Sequence, residues 1–201
     1  MSILIECSYC NKVYNPKYIN DEILCVKCDK GAIGREKLSY LIDKYTDYCN
    51  SISSFNIRCP NFPESISENI VKLFINNKEN IKCLNSSVGD LEKIIKDKIY
   101  RIEVKCFSST GPTSFGPQES WDEIYFVDSI YFKLNFYKIY RINLKNCDKK
   151  FQQIMVNKTE TYGQHCLAKR RPRICFDKIK EQLKDDCVLV FEGKYEDLFK
   201  K

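Results

Sequence analysis

A chain of 201 residues, 43% hydrophobic and 30% charged, can bury about 70% of the surface its unfolded form exposes, which excludes collagen-like, low-complexity and largely disordered classes. It has no apolar run of the roughly 18–20 residues that a membrane-spanning helix needs, so no membrane partner is expected. The net charge of +6 is uneven, with 12 basic and 4 acidic residues between Arg141 and Lys184; this suits a polyanion such as nucleic acid, or merely a solvated lysine-rich surface.

The segment from Met1 to Glu6 lacks the basic start and apolar stretch of a signal peptide. A cytoplasmic location is therefore expected, with a nuclear one left open. In a reducing compartment the 12 Cys read as zinc ligands and small buried residues more readily than as disulfides. Cys7-Ser-Tyr-Cys10 and Cys25-Val-Lys-Cys28 form two knuckles separated by 14 residues. Each knuckle sets two sulfurs on one side of an ion, so residues 1–34 are expected to form a small zinc ribbon holding a structural Zn²⁺ through Cys7, Cys10, Cys25 and Cys28. Residues 35–201 are then the main domain.

Gly31 and Gly34 break the chain before a helix expected over 35–51, in which Leu38, Leu41, Ile42, Tyr45, Tyr48 and Cys49 recur at a 3.6-residue period. After Pro60 and Pro63 a second helix is expected over 65–77, with Ser65-Ile-Ser-Glu68 reading as a capping box. Over 98–107 the period falls to two. Tyr100, Ile102, Val104 and Cys106 point one way, and Arg101, Glu103 and Lys105 the other. The segment 110–117, with two Gly and two Pro, reads as a loop. Strands are expected over 124–127 and 131–143, with a turn at Asp128-Ser129. A basic loop, 169–173, leads into a helix over 176–184. A strand over 187–191, a turn at Gly193 and a short helix over 195–199 close the chain. These elements make an α/β or α+β core with a mixed sheet flanked by helices.

The chemistry concentrates in Val88-Gly-Asp90 and Glu103-Val-Lys105. If Asp90 ends the strand neighbouring Glu103 in a hairpin, two carboxylates and the Val104 carbonyl offer hard oxygens for Mg²⁺, and Lys105 can orient or deprotonate water. Phosphodiester hydrolysis needs those parts. An acid-x-Lys triplet alone carries little weight, since chance supplies about as many as the three found here, at Glu103, Asp148 and Glu192. Only Glu103 sits mid-strand with an acid at hairpin distance upstream. The competing reading is an exposed strand face with a Glu–Lys pair worth under about 1 kcal/mol.

Gly89-Asp90 followed by Arg101-Ile-Glu103-Val-Lys105-Cys-Phe-Ser108 resembles the signature of the PD-(D/E)XK nucleases, and most closely the type II restriction endonucleases among them. Gly89 stands where the superfamily's name has proline. The resemblance runs from about residue 63 to 199 and implies a restriction-endonuclease-like core. It implies Mg²⁺ held by Asp90 and Glu103, and Lys105 assisting the attacking water. Pro63-Glu-Ser-Ile-Ser-Glu68 resembles a helical element that adds a further Glu, so Glu68 is a catalytic candidate as well as a capping one. Gly111–Pro117 with Trp121-Asp122, and Lys169–Ile174, also resemble segments of those enzymes. Lys169, Arg170, Arg171 and Arg173 are expected to touch DNA, because Arg adds bidentate bonding to guanine or phosphate; Ser114 and Gln118 are secondary candidates. The implied partners are double-stranded DNA, a second copy in a homodimer, and a companion DNA methyltransferase. Two rival functions stay open: a structure-specific repair or junction-resolving nuclease on the same core, and a non-catalytic zinc-ribbon DNA-binding protein.

Overall fold

The structure is a computed structural model that describes residues 5–6, 13–14, 35–86 and 89–200. The expected zinc ligands Cys7, Cys10, Cys25 and Cys28 lie outside the described residues. Strands β1 (Ile5–Glu6) and β2 (Val13–Tyr14) pair antiparallel, Ile5 opposite Tyr14, and bracket the first Cys knuckle in sequence.

Helix α1 (Arg35–Ser53) buries Leu38, Ile42 and Cys49 as its period predicts, but Tyr48 stands on the solvent side at 53% exposure. Its last turn is closed by Ser51 and Ser53, whose hydroxyls donate to the carbonyls of Asp47 and Cys49. Helix α2 (Glu64–Asn77) begins earlier than the expected capping box allows. Pro63 occupies the N-cap at φ −62° and no side chain caps it, so Ser65 is already helical and the Ser65–Glu68 box does not form. Proline's fixed φ and missing N–H make it a natural entry to a helix. α2 is buried on several sides: Ile66, Ile70, Val71, Phe74 and Ile75 are all core residues.

The central sheet contains, in chain order, β3 (Lys82–Asn85), β4 (Leu91–Ile95), β5 (Lys98–Phe107), β7 (Glu123–Asp128), β8 (Phe136–Ile142) and β10 (Cys187–Lys194). Across the sheet the order is β10-β8-β7-β5-β4-β3. All neighbouring pairs are antiparallel except β5–β7, which is parallel. The β4–β5 hairpin turns at Lys96 and Asp97, both at positive φ (47° and 63°), the handedness that matches strand twist in a two-residue loop. β5 spans the residues its alternation predicts.

Alternation divides β5 and β7 between two cores. Ile102, Val104, Tyr125 and Val127 pack beneath α1 and α2. Ile124, Phe126 and Phe107 face a second cluster built around Phe115, Trp121, Phe151 and Tyr162. That second core rests on two short elements without a strong periodic signal: helix α3 (Lys149–Gln152), capped by Asp148, and helix α4 (Tyr162–Leu167). A capping box does occur in the chain, between Thr161 and Gln164 of α4.

Three further expectations are corrected. The strand expected over 131–143 is interrupted by a 3-10 turn, Phe132–Leu134, because Asn135 adopts φ 52° before β8 begins. Gly193 is not in a turn: it is buried inside β10 opposite Tyr137, where the ladder continues to Lys194. The loop over 110–117 contains β6 (Thr113–Ser114), paired with β9 (Arg173–Ile174). Helix α5 (Phe176–Gln182) and a closing 3-10 turn, Tyr195–Phe199, lie near their expected places.

Candidate active site

β4 and β5 pair with Leu91 opposite Ile102, so one step further along the antiparallel register brings Asp90 level with Glu103. Asp90 precedes the first paired residue of β4, free to turn its carboxylate inward. Its Oδ2 accepts the Val104 amide at 2.7 Å. This bond uses the Val104 N–H; the Val104 carbonyl, expected as a hard oxygen for Mg²⁺, takes no part in it. On β5, Lys105 Nζ donates to Glu103 Oε1 at 2.5 Å and to Glu119 Oε1 at 3.3 Å. Glu68 joins from α2, close enough to Asp90 for the two carboxylates to repel.

Two carboxylates thus contact the Lys105 ammonium, and Asp90 and Glu68 act on the group through their charge. Burial, with repulsion from Asp90 and Glu64, pushes Glu68 up to about 7. Glu103 is only 6% exposed. Burial pushes it up to about 7 as well, against the pull of Lys105 and with the push of Asp90. Asp90 is also raised by burial, with the Val104 N–H working in the opposite direction. Burial opposes the charge on Lys105, but Glu103, Glu119 and Asp90 outweigh it and its pKa rises. A site that strains to hold negative charge attracts a cation and resists losing the proton of Lys105.

Glu119 carries no motif of its own in the sequence. It follows the Gly/Pro segment, and only folding brings it to Lys105. Its backbone carbonyl accepts Asn146 Nδ2 at 2.7 Å, and its Oε2 is buried without a hydrogen-bond partner among the described residues. Trp121 and Asp122 serve the scaffold: Trp121 is buried in the second core, and Asp122 accepts the Arg101 amide at 3.0 Å and pairs with Lys145. Among the described residues no three His, Cys, Asp or Glu side chains converge as a metal-holding group.

Lys105 opens onto a cleft of about 320 Å³ whose wall includes Ser114, Arg173, Arg58, Ser108 and Thr113. The β6–β9 ribbon builds this wall. Ser114 pairs with Arg173 across it, and the Phe115 amide donates to the Pro172 carbonyl at 3.0 Å. Two DNA-contact candidates far apart in sequence thereby become neighbours. Lys169, Arg170 and Arg171 are exposed but do not line the cleft, and neither does Gln118. Arg170 is held by Glu160 through both guanidinium nitrogens, at 2.5 and 3.2 Å, and Glu160 is driven down to about 2 chiefly by that bond. Arg58, in the loop between α1 and α2, carries no sequence signal; tertiary packing alone sets it on the cleft.

The family model described as Bsp6I restriction endonuclease matches residues 33–182, which takes in α1 and the whole of the Asp90–Glu119 constellation. No curated protein and no solved structure matches the chain.

Proposed function

Because the chain belongs to the Bsp6I restriction endonuclease family, an endonuclease acting on DNA, we propose that it cuts double-stranded DNA at a short recognition sequence, with Mg²⁺, at the Asp90–Glu103–Lys105 site. The observation that carries this reading is that Asp90, bonded to the Val104 N–H, and Glu103, bonded to Lys105, stand behind a cleft whose lining includes Val104, Lys105 and Arg173.

The donors suit Mg²⁺. That ion is commonly bound by one or two carboxylates together with water and substrate phosphate, so the lack of a convergent triple among the described residues does not conflict with it. The raised pKa values of Asp90 and Glu103 are what uncompensated hard oxygens display before a cation neutralises them. Asp90 and Glu103 would hold the ion, which supplies charge neutralisation at the phosphate and acidification of water.

The chain's own groups do the rest. The Val104 N–H fixes the Asp90 carboxylate, and Glu68 adds negative charge from α2. Lys105, kept protonated by Glu103, Glu119 and Asp90, would position the attacking water by donating hydrogen bonds, with Glu119 as a second carboxylate that holds its ammonium in place. Arg173 and Ser114 hold the strand at the cleft mouth. Homodimerisation, a companion methyltransferase, a cytoplasmic setting and a structural zinc at the four N-terminal cysteines belong to the same proposal; no helix among the described residues is long and apolar enough to cross a membrane.

The test is incubation of the purified protein with plasmid DNA and Mg²⁺. Discrete fragments support the reading. Cutting confined to branched substrates would replace it with junction resolution, and uncut DNA would replace it with a binding module.

A further inference from the structure

The Lys105 cleft does not end at Arg58. A second concavity of about 460 Å³ adjoins it and shares Arg58, Asn61, Ser108 and Ser109 with it. Two loops far apart in sequence enclose this space. One follows α1 and carries Arg58 and Asn61; the other, between β7 and β8, carries Ile130, Tyr131, Lys133 and Leu134.

Its charge is one-sided. Arg58 and Lys133 line it, and no Asp or Glu among the described residues does. Arg58 is exposed, with no ion-pair partner among the described residues. Lys133 is steadied by one bond, from Nζ to Ser53 Oγ at 3.1 Å, and keeps two donors for another group. Asn61, Ser108 and Ser109 add neutral donors. On the far wall Tyr131 and Leu134 are exposed at 55% and 71%. An anion with an attached flat or apolar body satisfies both walls, and a nucleotide unit is such a ligand: its phosphate takes the cations and hydroxyls, its base or sugar the aromatic face.

Resting on the nuclease reading above, we infer that Arg58, with Lys133, holds a DNA phosphate flanking the one that is cut, so that the strand runs from Arg173 past Lys105 to Arg58. Continuity supports this path, since the residues common to the two concavities include no carboxylate. The interaction is sequence-independent, because phosphates carry no base identity.

The experiment measures binding of the full chain to a duplex oligonucleotide over a salt series in magnesium-free buffer, by fluorescence anisotropy. Removing one cation from a phosphate makes the slope of log K against log salt shallower by about 0.9. Arg58→Ala is expected to reduce the slope by that amount and weaken binding several-fold at low salt. Lys133→Ala should act in the same direction, while Arg58→Lys retains the slope. Lys44→Ala, on α1 and paired with Asp47, reports the change in net charge alone. An Arg58→Ala protein with wild-type slope and affinity overturns the inference. So does an equal drop in Lys44→Ala, or a change only in oligomeric mass by light scattering, which would make the concavity a protein interface. Wild-type protein that neither binds the duplex in this series nor cuts plasmid DNA with Mg²⁺ would instead overturn the nuclease reading itself, and both are measured before any variant is read.

Discussion

The Val104 amide donates to Asp90 Oδ2 at 2.7 Å, and this one bond ties the acid before β4 to the middle of β5. It replaces the ladder bond that a further residue of β4 would have made. The carboxylate thereby stands beside Glu103 in a defined orientation. Asp90→Asn keeps an acceptor for the Val104 N–H but removes the charge. Plasmid cleavage should be abolished, whereas the melting temperature should stay level or rise, since a repelling charge leaves a buried group. Wild-type cutting by this variant would place the reaction elsewhere.

Lys105 lies between Glu103 and Glu119 with its ammonium 5.7 Å from the Phe115 ring centroid. Lys105→Ala should end cleavage and preserve duplex binding, because Arg173 and the rest of the cleft wall persist. The variant also strands Glu103 without its nearest cation, a loss that in buried pairs runs to about 3–5 kcal/mol. Glu103 can relieve part of it by taking a proton. The destabilisation should therefore be greater at pH 8.5 than at pH 6 in thermal melts.

Stability without metal should fall as pH rises. Glu68 and Glu103 titrate at about 7 in the folded chain, above the roughly 4.3 of an unfolded glutamate. The folded state therefore binds more protons between those values, so the stabilisation is complete below about 4.3 and is lost as pH climbs through 7. Glu103→Gln removes one such group. Its melting temperature should exceed that of wild type above pH 7, by about 2–4 °C for each kcal/mol relieved, and the gap should close toward pH 4.5. Added Mg²⁺ should raise the wild-type midpoint at pH 8 and raise the variant's less. Parallel pH curves for the two proteins would contradict the electrostatics.

The arginines of the basic loop should not behave alike. Arg173 lines the cleft, whereas Arg170 is engaged by Glu160. Arg173→Ala should weaken DNA binding, by about 1–3 kcal/mol if it contacts a base, and Arg170→Ala should weaken it less. Titration of both variants against one duplex decides the order.

The two Cys knuckles predict about one zinc per chain by elemental analysis of freshly purified protein. Replacing Cys7 and Cys10 with Ser should release it. Metal-free wild-type protein would return these cysteines to ordinary thiols.

Much of this is legible in the chain wherever one element settles the matter. The alternation of apolar and polar residues places β5 at residues 98–107 and puts Glu103 and Lys105 on one face. The spacing to Asp90 allows a hairpin, and the Lys96-Asp97 turn at positive φ makes it. The expected capping box at Ser65 fails because Pro63 begins α2 first. The expected turn at Gly193 fails because β8 supplies a partner that a lone glycine cannot announce. The 3-10 break before β8 is hidden in the sequence since its Ile, Tyr and Phe content fits a strand.

The amino-acid pattern by itself determined which residues share one face of β5 and which charges they bear, because a period of two is a property of neighbouring residues. Only the tertiary structure decided that Glu119 would meet Lys105, that Arg58 and Arg173 would line one cleft, and that Arg170 would turn to Glu160. Those meetings join segments separated by loops, and a loop's sequence does not state where its ends meet. Packing of the two cores on opposite faces of the sheet sets those meeting points, and with them the charge balance of the site.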